Sequence, residues 1–199
     1  MADLARRAGP FRLPKPATGH FEALAESILY QQLAGAAAAA IHRRFVALFQ
    51  DGLSPEAVLA LTVDRLRSAG LSGAKAVSIL DLAANVADGT VPLEDIERLS
   101  DDAIVERLTL VRGIGRWTAE MFLIFQLRRL DVWPVDDYGV RQGYALAYGL
   151  AELPKPKELM GFGERFRPYR TVPAWYCWRA VHLSRSTGVD SSRAVKPGK

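Results

Sequence analysis

Residues 108–141 hold the side chains best able to do chemistry. Two adjacent carboxylates, Asp136 and Asp137, follow Pro134 and Val135 and stand just before an apolar-periodic run at residues 140–150. That order puts both acids at a helix N-terminus, where a carboxylate can cap backbone N–H groups and the helix dipole favours the anion. On the residues alone, capping is the simpler reading of the pair. Upstream lie Gly113, Ile114 and Gly115, between two runs with helical spacing. Glycines on either side of one apolar residue permit positive φ and leave the backbone bare, so N–H groups can converge at the start of the following helix. Such a nest of donors suits a phosphate oxygen.

The elements that must position these groups read as helices. Ser100 and Asp101 open a helix with Ile104 and Leu108 on one face, which stops at the glycines. Residues 116–127 contain no breaker and place Ala119, Phe122, Leu123 and Gln126 on one face, completing a helix, a tight hairpin at 108–117 and a second helix. Residues 21–49 predict two helices broken at 31–35. Short helices follow at 55–60 and 62–69, a long one capped by Ser72 at 73–88, and another short one within 90–99. A Pro/Lys spacer at 153–157 precedes a last helix at 169–186, crowded with Trp175, Tyr176 and Trp178. No stretch alternates like a strand, so the fold class is all-α.

The segments VRGIGRWTA and WPVDDYGVR, with the QQL segment at 31–33 and RPYR at 167–170 running on to Trp178, resemble the helix-hairpin-helix (HhH-GPD) DNA glycosylases. The likeness is to their AlkA-type 3-methyladenine branch and spans roughly residues 20–185. It implies two helical lobes with a central cleft, and a monofunctional enzyme that flips alkylated bases of the 3-methyladenine and 7-methylguanine type out of duplex DNA and hydrolyses the N-glycosidic bond in base excision repair. It divides the chain into an extended arm at 1–19, a body at 20–186 and a flexible tail at 187–199. What precedes His20 is too short for the separate N-terminal lobe of longer relatives, so the form is minimal.

The resemblance also assigns roles. Asp137 matches the catalytic aspartate, leaving Asp136 the structural task, and base excision passes through an oxocarbenium-like sugar that a fixed carboxylate stabilises. Trp117, Met121 and Trp178 match the base pocket, where an aromatic wall suits a cationic alkylated purine; ordinary core packing is the alternative, above all for Met121. Gln32 and Leu33 match the wedge that fills the gap left by the flipped base, unless Leu33 is simply core. Gly113 and Gly115, with Arg112, Arg116, Arg141 and Arg170, match phosphate contacts. The carbonyls of Thr109, Val111 and Ile114 match those holding a monovalent cation, Na⁺ or K⁺, when DNA is bound; no other cofactor is implied. Lyase-competent relatives carry a lysine two residues after the hairpin's second glycine, and this chain has Trp117 there. Lys75 and Lys157 read as surface charges.

Composition agrees with a nucleic-acid partner without requiring one. The net charge is +4 and arginines far outnumber lysines. A single cysteine, Cys177, excludes a disulfide framework and a four-cysteine cluster. His20, His42 and His182 are too dispersed to suggest a metal site. With no leader or long apolar run, the expectation is a cytoplasmic monomer away from membranes. Two other functions remain open: a non-catalytic hairpin module anchoring a repair assembly to DNA, and a bifunctional glycosylase for oxidised bases.

Overall fold

The computed structural model describes residues 2–186, of Ala2 the backbone only, so the tail expected at 187–199 lies outside the described residues. Among those residues every regular element is helical, as the periodicity predicts. The chain forms two compact units, one made of residues 2–14 and 128–186, the other of Lys15–Leu127. No described helix is long and apolar enough to cross a membrane.

The second unit contains α2 (His20–Tyr30), α3 (Gly35–Val46), α4 (Pro55–Leu59), α5 (Val63–Ser68), α6 (Gly73–Ala87), α7 (Asp101–Leu110) and α8 (Arg116–Met121). Its starts are chemically marked. Ser54, Thr62, Ser72 and Ser100 each accept a hydrogen bond from the backbone N–H three residues on, the exchange that makes hydroxyl residues good N-caps. Leu24, Ile28, Leu29, Phe45, Leu66, Ile79, Leu82, Ile104 and Leu108 are fully buried and form its core, Ile104 and Leu108 on the face read from sequence. Two details differ from expectation. Residues 90–99 form only a 3₁₀ turn at Ile96–Arg98, because Val91 and Leu93 are drawn inward individually rather than along a helical stripe. The helix expected over 116–127 is α-helical to Met121 and then widens into a π turn at Phe122–Gln126, closed by Leu127 N–H donating to the Phe122 carbonyl. The widening keeps Phe122, Leu123 and Ile124 buried in succession, and π turns of this kind recur at functional sites.

The first unit holds α9 (Tyr138–Tyr148), α10 (Pro156–Gly163) and α11 (Thr171–Ser186). Residues 1–19 are not an extended arm throughout, since Ala2–Ala8 forms a helix, α1, which packs on α11. Phe11 meets Trp175 edge-on, and Tyr176 Oη donates to the Gly9 carbonyl. Helix α10 starts inside the Pro/Lys spacer. Pro156 occupies its first turn, where a missing N–H costs nothing, and the Glu158 carboxylate accepts the Lys155 N–H at 2.7 Å. Trp133, Val135, Val140, Tyr144, Leu159, Ala174 and Cys177 form this unit's core. Gly143 lets α9 lie directly on α11, for a Cβ there would fall on the Cys177 carbonyl.

Candidate active site

Asp137 is the N-cap of α9 and is buried, with 9% of its surface exposed. Its Oδ1 accepts the Val140 N–H at 2.7 Å and the Trp178 indole Nε1–H at 2.9 Å. The structure therefore reverses one expectation: Asp136 does not take the capping role but is exposed, while Asp137 combines the cap with the position matched to catalysis. The turn sets this, since Asp137 N–H closes back on the Pro134 carbonyl and leaves Asp136 at its outer corner. Gly139, which the sequence reading passed over, belongs to the same arrangement. A Cβ there would stand 2.9 Å from Trp178 Cδ1 and 3.1 Å from Asp137 Oδ1, so only glycine lets the indole reach the carboxylate. A glycine in the first turn of a helix whose cap is already an aspartate was the available signal.

The segment leading to Asp137 is clamped at its base. Thr171, fully buried, donates to the Arg129 carbonyl and accepts the Val132 N–H. Arg170 donates through Nε to Asp131 Oδ1 at 2.7 Å and through Nη2 to Asp131 Oδ2 at 3.0 Å and to the Asp131 carbonyl. Arg170, expected among the phosphate contacts, is thus committed to the fold, because a bidentate pair with a half-buried carboxylate uses the face a phosphate would need. Burial pushes the Asp131 carboxyl up, but the Arg170 donors and the charges of Arg170 and Arg167 outweigh it, leaving it below the ordinary range. Arg141 likewise spends its Nε on the Pro154 carbonyl at 2.8 Å. The lone thiol, Cys177, is buried beneath this site; desolvation, with the Asp137 charge adding to it, pushes its pKa up to about 12, so it is no nucleophile.

In the second unit α7 and α8 frame the hairpin. Val111 and Ile114 are buried and anchor it, Gly113 takes φ +83°, and Gly115 is the extended N-cap of α8. Only one of the two glycines thus needs positive φ. Gly113 also needs to be bare, since a Cβ would meet Ser78 Oγ at 2.8 Å. Arg112 and Arg116 are exposed; Arg112 N–H donates to Asp81 Oδ2 at 2.7 Å, and Arg116 Nε pairs with the buried Glu120 at 3.0 Å. Trp117 is 47% exposed at the start of α8 and Met121 half-buried at its end, one turn apart along the helix. Gln32 is exposed with φ +57°, and Leu33 is 38% exposed, which removes the core reading for Leu33. Among the described residues no three His, Cys, Asp or Glu side chains gather as a metal site.

A model of the HhH-GPD superfamily of base excision DNA repair proteins matches residues 25–168. The chain belongs to that superfamily. The all-helical architecture of its described residues is that of the superfamily, as the sequence resemblance implies. DNA-3-methyladenine glycosylase 1 of Schizosaccharomyces pombe is 37% identical over 182 residues, covering 90% of this chain and 78% of that protein. The solved structure of the S. pombe 3-methyladenine DNA glycosylase in complex with abasic DNA superposes with a TM-score of 0.78 at 33% identity, over 98% of this chain and 93% of that one. The DNA-3-methyladenine glycosidase from Bacillus halodurans gives a TM-score of 0.85 at 35% identity, over 93% and 85%.

Proposed function

We infer that this HhH-GPD protein is a DNA-3-methyladenine glycosylase of base excision repair, a hydrolase that cuts the N-glycosyl bond of alkylated bases in duplex DNA. The observation that carries the reading is a buried carboxylate, Asp137, held on one oxygen by the α9 backbone and by the Trp178 indole. The relative solved with abasic DNA supports DNA as the partner. In the mechanism proposed, the hairpin grips the backbone through N–H groups near Gly113 and Gly115, and Gln32 and Leu33 enter the stack as the damaged base swings out. Trp117 and Met121, one turn apart on α8, are the side chains proposed to contact the base, while the Trp178 indole holds Asp137. The C1′–N bond breaks with its electron pair leaving on the alkylated purine, which loses its positive charge. Asp137 stabilises the cationic sugar, water bonds to C1′, and the proton that the water sheds passes to the carboxylate. A base that already carries a cation departs without a donated proton.

The absence of an amine supports hydrolysis without strand nicking. Trp117 stands where lyases of the superfamily hold lysine, and Lys75 has its ammonium on backbone carbonyls. Helix α7 ends at Leu110, so carbonyls beyond its last turns are released from the helical ladder. Those of Thr109, Val111 and Ile114 are the ones the family resemblance assigns to a monovalent cation, and Val111 also accepts the Ile114 N–H. Such an ion would add positive charge beside a gripped phosphate. Duplexes carrying one modified base each, scored separately for base release and for nicking, test the reading. Release of 7-methylguanine without nicking is the expected result. Release coupled to nicking would point to a bifunctional enzyme, and binding without release to an anchoring module.

A further inference from the structure

Helix α6 presents Lys75, Ser78 and Asp81 at three-residue spacing, and each meets one of the two loops assigned to DNA in the second unit. Lys75 Nζ donates to the Leu29 carbonyl at 2.6 Å and the Gln31 carbonyl at 2.7 Å, at the C-terminus of α2. Ser78 packs against Gly113, and Asp81 accepts the Arg112 N–H. Gln31 closes the circuit, its Nε2 donating to the Gly113 carbonyl at 2.8 Å. Lys75 is therefore not the surface charge its sequence position suggests.

The chemistry of the contact explains a lysine there. The last carbonyls of a helix lack N–H partners and carry the negative end of its dipole, so an ammonium with several donors both satisfies them and fixes where the helix stops. The residues that follow are Gln32, in the left-handed conformation that a side chain rarely adopts, and the exposed Leu33. A turn of that shape keeps its form only when its flanks are held. Here one flank is held by Lys75 and, through Gln31, by the hairpin itself.

We propose that Lys75 is a positioning residue for base flipping: with Gln31 it locks the Gln32–Leu33 turn to the phosphate-gripping hairpin, so that grip on the backbone sets how far the wedge enters the stack. The proposal rests on the glycosylase reading above. Two lesion contexts test it, 7-methylguanine opposite cytosine and the same strand with a tetrahydrofuran abasic residue opposite, where the base is already unpaired. Lys75→Met should lower the ratio of the paired to the unpaired release rate about tenfold, because the paired base must also break its hydrogen bonds to cytosine and so depends more on the wedge to leave the stack. A folded Lys75→Met with both rates reduced by one factor, or with the ratio unchanged, would overturn the proposal. Gln31→Leu provides the same reading should Lys75→Met fail to fold, since it keeps the carbonyl that Lys75 binds and removes only the tie to Gly113. Its ratio should fall too, and an unchanged ratio overturns the coupling. No release from either duplex by the unmodified protein would sink the glycosylase reading and this proposal with it, a result told apart because it needs no variant.

Discussion

Asp137 does two jobs with one oxygen, and the residues around it can be sorted by whether their burial serves the fold or the substrate. Trp117 is the clearest case on the substrate side. With about half its surface open, it leaves part of its indole available to a ligand, and a cation over it would gain about 0.5–2 kcal/mol. Trp117→Ala should therefore slow release of a cationic base by about two- to thirtyfold in protein that is still folded, as urea denaturation checks. A large loss of stability with an unchanged rate would make Trp117 a packing residue instead. An aspartate at the start of α9 and a tight hairpin between two helices were legible from residue type and spacing, whereas Trp178 and the Gln32–Leu33 turn were picked out by family resemblance alone. The division of labour between Asp136 and Asp137 was not legible, because either acid can cap a helix and the turn that turns one outward is set by Pro134 and the packing beneath it. Nor was the commitment of Arg170, since an arginine's partner, here Asp131, lies far off in the sequence.

At the scale of elements, the contact of α9 with α11 carries the proposed catalytic carboxylate and its indole partner on one packed pair of helices. Gly143→Ala would set a methyl against the main chain of Cys177, which cannot swing aside as a side chain can. Even after the better helix propensity of alanine, a loss of at least about 2 kcal/mol follows. Chemical denaturation reads it directly, and an unchanged midpoint would show that the two helices yield. The clamp at Asp131 makes a second prediction. Its carboxyl lies below the ordinary aspartate range when folded, so its contribution is present above the unfolded value, about 4, and is lost as pH falls through the depressed folded value. Asp131→Asn should abolish that increment, making the variant's stability less steep with pH in acid than the parent's; parallel curves would contradict the assignment. Most helices were readable because their stripes and hydroxyl caps are local signals. Helix α1 was hidden by its brevity and by its dependence on α11, α10 by prolines that mark its start as well as a spacer, and the π turn by the lack of any local signature for i→i+5 bonding.

At the scale of the whole molecule, a net charge of +4 and a predominance of arginine over lysine suit the proposed phosphate-backbone partner without choosing a base. On the proposed reading, choice and chemistry fall to the few residues assigned to the base and sugar, with the charge of Asp137 acting on the transition state. Asp137→Asn isolates that charge. Asparagine caps a helix about as well, and its Oδ1 can still accept from Val140 N–H and Trp178 Nε1–H, so the fold should be kept. The deciding measurement compares this variant with the parent for single-turnover release of 7-methylguanine and for affinity toward a duplex holding a tetrahydrofuran abasic residue, with Asp136→Asn as the control. Release should fall by about a hundredfold or more while abasic-duplex affinity stays within a few-fold, and Asp136→Asn should match the parent in both. A folded Asp137→Asn protein that releases the base at the parent's rate would contradict the account.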